Sequence, residues 1–360
     1  MESERRLRVG MIGCGDIAVG RAKQMRGCPR IEIVRVMDIN EAVARSLGEK
    51  LGCRHGASEK DVLDDPAVEA VVLSTPHYLH ARQTIEAAAA RKHILVEKPI
   101  AATLAEADRM IAGCREAGVT LTVCYDRRCL ATAAEARRLV QGGAIGNVLA
   151  CHIAVCLCKP DYYWTSGWGR VSQTDWRTKI ATSGGGILIT NASHELDLAF
   201  HIAGLRAARV TAEVANRLTP AVEVEDFAYL LIRYEGGAIG SVQASSAFLG
   251  KGVNEIRFVG DKGQVALAGD KLSVWLAEPF EDLAANQWHE RPGAALPKTA
   301  PLVARWAESV LTGQPSPISG EQARPALEIV RAAYRSGGLP VDLPLSDDSE
   351  LIVRVRRETR

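Results

Sequence analysis

An apolar run, His93-Ile94-Leu95-Val96, ends in Glu97-Lys98-Pro99, so an ammonium stands where a strand stops. Ligands of open α/β sheets gather at the carboxyl ends of strands. Pro99 fixes its own φ and drives Lys98 toward extended backbone, which aims the side chain. A second group suited to proton transfer lies far along the chain. Thr190 and His194 are four apart on a helical stretch and share one face, just after Gly184-Gly185-Gly186, where backbone can come close to a ligand. Imidazole titrates near neutrality and suits a general base, while an ammonium stabilises charge developing on oxygen. Together they are equipment for taking a proton from a hydroxyl and stabilising the charge left on its oxygen. Each also has a plainer reading: Lys98 as a solvated loop lysine, His194 as a core histidine satisfied by Asp197.

The chain opens with a glycine-rich turn of a kind that binds dinucleotides. Gly13-Cys14-Gly15-Asp16-Ile17-Ala18 follows a strand and starts a helix, the context in which G-x-G-x-x-G/A carries meaning. Gly13 allows the tight turn, Gly15 lets a pyrophosphate approach the backbone, and Ala18 lets the helix pack close to the strand. The N–H groups of Asp16, Ile17 and their neighbours then face the phosphates. Asp38 ends the second strand, where an acid hydrogen-bonds a ribose 2′-OH and repels a 2′-phosphate. With Ile39 next and no arginine, NAD is favoured over NADP.

The elements that must position these groups alternate regularly from Leu7 to about Cys124. Strands are expected at Leu7–Ile12, Ile31–Met37, Ala70–Ser74, His93–Val96 and Thr120–Cys124, with helices at Asp16–Arg26, Glu41–Leu51, Leu79–Arg91 and Leu104–Ala117. This predicts a doubly wound parallel sheet over residues 1–125. After a helix at about Thr132–Gln141, residues 126–360 change texture. Long alternating runs, Val148–Cys158, Val210–Arg217, Phe227–Tyr234, Ala238–Ser245, Ile256–Val259 and Gln264–Ala268, predict a large, mostly antiparallel open sheet with few helices, near Ile187–Ile202, Pro301–Leu311 and Glu321–Arg335. A sheet covered on one face leaves the other bare, which predicts a homodimer or homotetramer through that face.

Composition narrows the partners. The 360 residues are 47% hydrophobic and 24% charged, and 44 Lys+Arg against 43 Asp+Glu leave a net charge of +1. No global field recruits nucleic acid or an acidic membrane, and no apolar run is long enough to span a bilayer, so a small molecule is the expected partner and the cytoplasm the expected location. The nine cysteines lack the spacing of a disulfide framework and read as reduced core residues. Cys151, His152, Cys156 and Cys158 lack tight ligand pairing, and no metal is expected.

With these motifs in order, the chain resembles the glucose–fructose oxidoreductase / inositol dehydrogenase / MocA-like (Gfo/Idh/MocA) family. The resemblance continues through Leu73-Ser74-Thr75-Pro76 with His80, Gly143-Ala144-Ile145-Gly146, Trp176-Arg177, Gly184-Gly185-Gly186 with His194 and Asp197, Val224-Glu225-Asp226, Gly260-Asp261-Lys262-Gly263, Ala332-Ala333-Tyr334-Arg335-Ser336 and Val341-Asp342-Leu343-Pro344. It implies an NAD-dependent dehydrogenase of a cyclic polyol, sugar or sugar-derived acid. Lys98 and His194 would face the substrate, and Ser74, Thr75, Pro76, His80 and Glu97 would join the glycine turn around the cofactor. Trp176 and Arg177 resemble part of the substrate-side signature, and Asn191 adjoins Thr190. Arg127 and Arg177 can grip hydroxyls or a carboxylate, or else be solvated surface groups. The aromatics of Asp161-Tyr162-Tyr163-Trp164 and Trp168 fit either a sugar face or a packed loop. The chain departs from the family at Thr190, where an acid is usual, and at His77 and Asp126, where asparagine is usual. Two rivals share the scaffold: an NAD-dependent glycoside hydrolase with transient redox, and a non-catalytic nucleotide sensor.

Overall fold

The computed structural model describes residues 5–171, 173–345 and 356–357. Residues 1–4 of the charged opening, and 346–355 and 358–360 of the expected second domain, lie outside the described residues. Contacts divide the chain into two compact units: Met1–Tyr125 with Pro160–Gly184 and Ala300–Arg324, and Asp126–Lys159 with Gly185–Thr299 and Pro325–Arg360. Two later stretches thus return to the first unit, which the contiguous division 1–125 and 126–360 does not include.

The first unit is built on β1 (Leu7–Ile12), α1 (Asp16–Arg26), β2 (Ile31–Met37), α2 (Glu41–Leu51), β3 (Arg54–Gly56), α3 (Glu59–Leu63), β4 (Ala70–Leu73), α4 (His80–Ala89), β5 (His93–Val96), α5 (Leu104–Ala117) and β6 (Leu121–Val123). All six strands pair in parallel in the order β3-β2-β1-β4-β5-β6. β1 and β4 are neighbours although five elements of chain separate them, so the order reverses there and opens a crevice beyond their carboxyl ends. Every residue of β4 is buried, as a strand covered on both faces requires. Helix ends are set locally: Asn40 caps α2, and Thr103 and Glu106 form a capping box on α5. Both helices stop at a left-handed glycine, Gly52 and Gly118.

The second unit carries α6 (Ala131–Gln141), β7 (Val148–Cys156), α9 (Ser193–Ala203), β8 (Ala207–Asn216), β9 (Phe227–Tyr234), β10 (Ile239–Ser245), β11 (Val253–Gly260), β12 (Gly263–Ala268), β13 (Lys271–Leu276), β14 (Trp288–Pro292), β15 (Val341–Asp342) and β16 (Arg356–Arg357). The short helices α7 (Asp161–Ser166) and α8 (Ile180–Ser183), and α10 (Leu302–Thr312), belong to the first unit; α11 (Gly320–Ser336) runs from one unit into the other. The ten-stranded sheet has the order β14-β13-β12-β11-β7-β10-β9-β8-β15, with β16 beside β8. It is antiparallel except where β7 meets β10 and β8 meets β16. Strict alternation of burial along β9 shows one face packed and the other open, and α6 and α9 pack together on the covered side. Among the described residues, no helix is long and apolar enough to cross a membrane.

Candidate active site

The glycine turn fits a dinucleotide. Gly13 has φ +91°, and a Cβ there would sit 2.7 Å from the Ser74 carbonyl oxygen, so β1 and β4 approach as only glycine permits. No side chain caps the N-terminus of α1 at Gly15, which leaves its first N–H groups for an anion. Ala18 is fully buried against the sheet and Ile17 is exposed. The Asp38 carboxylate accepts from the backbone N–H groups of Cys14, at 2.9 Å, and Asn40, at 2.9 Å. It is thereby held at the end of β2 where a ribose would lie. The Ser74 hydroxyl is buried at the same crevice with no hydrogen-bond partner among the described residues, as a group reserved for a ligand would be. Burial pushes the Cys14 thiol up to about 12, assisted by Asp38, so it stays protonated.

Lys98 is half-buried at the end of β5. Two neighbours fix its corner. His80 is fully buried, with Nδ1 2.9 Å from the Pro99 carbonyl oxygen and Nε2 3.0 Å from that of Thr75, so it ties the β5 corner to the β4 corner. The buried Glu97 carboxylate accepts from Arg21 of α1, Nη2 at 2.7 Å and Nε at 3.1 Å. His80 and Glu97 thus shape the crevice through protein contacts. His77 is buried beside them; its Nδ1 lies 2.6 Å from the Ser183 carbonyl oxygen and its ring meets Trp176 edge-on at 4.6 Å.

The segment 160–184 brings Trp176 and Arg177 to the first unit. The Arg177 guanidinium stacks over the Trp176 ring at 4.6 Å and faces the Tyr163 ring at 5.4 Å. Burial raises the Tyr163 phenol, with Arg177 pulling the other way. Trp164 is buried, and Tyr163 packs on Trp168 at 5.1 Å. The aromatic loop therefore packs on itself and around an arginine. The Asp16 carboxylate accepts from the backbone of Gly169 and Val171 in this segment.

In the second unit, His194 is half-buried in the first turn of α9. A π-helical turn, Leu188–Ala192, precedes it and carries Thr190 and Asn191. Glu225, fully buried, accepts from Gly186 N at 2.7 Å, Leu188 N at 3.0 Å and the Tyr334 hydroxyl at 2.8 Å. Burial raises its carboxyl while these donors pull it down. Arg128 grips the buried Asp197 with two bonds, at 2.7 and 2.6 Å. Arg127 pairs with the buried Glu195 and donates to Asn254 at 3.1 Å, so its guanidinium serves the unit's interior. Lys159, 6% exposed, donates to Thr190 Oγ1 at 3.0 Å, and Thr190 also meets Asn191 Oδ1 at 2.9 Å. Lys159 was not singled out from sequence, although Lys159-Pro160 repeats at a strand end the pattern of Lys98-Pro99. In β7, Cys151 points inward, while the exposed His152 bonds Ser241 at 2.9 Å.

Comparison with known proteins agrees with this geometry. Residues 7–125 match the Gfo/Idh/MocA oxidoreductase family, NAD-binding Rossmann fold, and residues 133–266 match its C-terminal domain. An uncharacterized oxidoreductase, YrbE of Bacillus subtilis, is 26% identical over 347 residues, 93% of this chain and 96% of its own. Myo-inositol 2-dehydrogenase of Thermotoga maritima is 26% identical over 339 residues, 92% of this chain and 96% of its own. Among solved structures, the WlbA dehydrogenase of Bordetella pertussis, in complex with NADH and UDP-GlcNAcA, superposes with a TM-score of 0.81 at 27% identity, over 95% of this chain and all of that one. The chain belongs to the Gfo/Idh/MocA family of NAD-binding oxidoreductases.

Proposed function

We propose that the chain is an NAD-dependent dehydrogenase moving a hydride between a secondary alcohol of a cyclic polyol, sugar or sugar-derived acid and the nicotinamide, with NADP the poorer cofactor. One observation carries the reading: at the switch point of the parallel sheet, an uncapped helix N-terminus, the Asp38 carboxylate and Lys98 stand at the ends of β1, β2 and β5. Bound there, the dinucleotide supplies a ring carbon that accepts the hydride with its electron pair. Gly13, Gly15, Asp16, Ile17 and Ala18 are assigned to its phosphates, Asp38 to its ribose, and Ser74, Thr75 and Pro76 to the facing wall, with His80 and Glu97 holding that wall and Lys98.

The Lys98 ammonium is assigned to the reacting oxygen, where it stabilises the negative charge that forms as the hydroxyl proton leaves. His194 is assigned as the group that takes that proton, and it returns it in the reverse direction. Thr190 and Asn191 are assigned to substrate hydroxyls, with Lys159 orienting Thr190; Trp176 and Arg177 are assigned to the ligand's approach. Arg127 is the weakest of the substrate assignments, because Glu195 occupies it. The open face of the large sheet is assigned to a second copy of the chain. The relatives named for inositol, and the structure holding a nucleotide sugar acid, support the substrate class.

The test is a panel of polyols, sugars and sugar acids with NAD and with NADP, followed by absorbance of the reduced cofactor. Net reduction of NAD by at least one cyclic hydroxyl compound is expected. Cleavage of a glycoside without net NAD consumption would establish the hydrolase instead.

A further inference from the structure

Asp16 is the first residue of α1, directly after Gly15, so its backbone belongs to the helix end that a phosphate would meet. Its side chain turns elsewhere. Oδ2 accepts from Gly169 N at 2.6 Å and Oδ1 from Val171 N at 3.2 Å, across more than 150 residues of sequence but within the first unit. Two glycines make room for it. A Cβ on Gly167 would stand 2.4 Å from Oδ2, and one on Gly169 would stand 2.6 Å from Oδ1. Gly167 also holds φ +70°, which disfavours any other residue. The same Gly167 position lies 3.3 Å from Arg177 Nη2, so the docked segment and the stacked arginine are one assembly.

A carboxylate beside a phosphate-binding helix end opposes an incoming anion through like charge. Two backbone N–H groups directed at it offset that repulsion and convert the charge into an anchor, since bonds to an ionised acceptor are about twice as strong as neutral ones. We propose that Asp16 is a positioning residue: a clasp that docks Gly167–Val171 beside the dinucleotide turn, so that bound dinucleotide leaves only when the clasp opens. The proposal rests on the NAD-dependent reading above.

Stopped-flow release of NADH, followed by its fluorescence, tests it without any substrate. Asp16→Ala should raise the NADH dissociation rate roughly tenfold or more, the scale of a lost charge-assisted pair of bonds. KM for NAD should rise with it. Asp16→Asn keeps one carbonyl acceptor and should restore part of the effect. Gly169→Ala pushes a methyl into the carboxylate and should speed release in the parent protein, but add little to Asp16→Ala, where the clashing oxygens are gone. Unchanged release in Asp16→Ala, or full additivity of the two substitutions, overturns the clasp while NADH binding stands. Failure of the parent protein to bind NADH overturns the cofactor reading and the clasp together.

Discussion

Lys98 and Lys159 both stand directly before a proline, but the structure gives them different surroundings: Lys98 is half-buried in the first unit's crevice, and Lys159 is buried against Thr190 in the second unit. An ammonium that stabilises developing charge gains most at the transition state, so Lys98→Met should lower kcat by about 10²–10³-fold with little change in Tm. Steady-state kinetics check this, and unchanged turnover removes Lys98 from the mechanism. His77 makes a different prediction. Burial holds its imidazole well below the ordinary value, and His80, Lys98 and Arg177 push the same way against the Ser183 carbonyl. The unfolded chain takes up this proton below a pH of about 6.5 and the folded chain does not, so the contribution is present above that pH and is lost as pH falls, by about 1.4 kcal/mol for each unit below it. His77→Gln still offers Ser183 a donor without titrating. Urea unfolding between about pH 7.5 and 5.5 should therefore show a shallower loss in the variant, and parallel curves would refute the assignment.

At the scale of elements, the helix that carries His194 is set by backbone contacts that a methyl group destroys. A Cβ on Gly186 would lie 1.9 Å from the Glu225 carbonyl oxygen, and one on Gly185, at φ +145°, would lie 1.9 Å from the Tyr334 hydroxyl. Backbone cannot yield as a side chain can, so Gly186→Ala should destabilise by more than about 3 kcal/mol. Gly20 in α1 has nothing within 4 Å of its Cβ position, and Gly20→Ala should be neutral or stabilise by up to about 1 kcal/mol. Thermal unfolding of both variants checks the contrast; equal effects would mean that the close approach at Gly186 is not what fixes the turn. The same distinction explains what sequence could reveal. β1, α1, β2 and α2 lie on the residues their periodicity predicts, because each is long enough to display a period. β3 and α3, at three and five residues, are too short to display one. β14 alternates between intermediate and exposed positions and has no apolar side to read. The nucleotide turn was legible because its spacing is local. The bond from Asp16 to Gly169 was not, since periodicity tells which face is buried and never which distant segment buries it. Apolar spacing predicts plain helix through the turn that holds Thr190, because a π turn leaves no mark on that spacing over five residues.

At the scale of the molecule, the proposed pairing of chains falls to the open face of the second unit's sheet. Its open face carries a row of cross-strand neighbours, Ile239, Ala150, Val259, Gln264, Trp275 and Trp288, running from β10 to β14. Tyr229 and Leu231 stand beside that row on β9, each more than half exposed. Arg257 lies over the Trp288 ring at 5.9 Å. Tyrosine, tryptophan and arginine around aliphatic side chains are the composition of interface cores rather than of solvated sheet. A stable dimer needs about 800 Å² from each partner, which strands of this number can supply from one face. If a second copy covers it, charge placed at its centre must be buried unpaired, at a cost of several kcal/mol, while the fold of the single chain is untouched. Leu231→Glu combined with Trp288→Glu should therefore shift sedimentation velocity from a dimer or tetramer to a monomer with Tm otherwise explained by the lost association. A parent protein that sediments as a monomer at all concentrations, or a variant that stays assembled, would leave this apolar face to some other occupant.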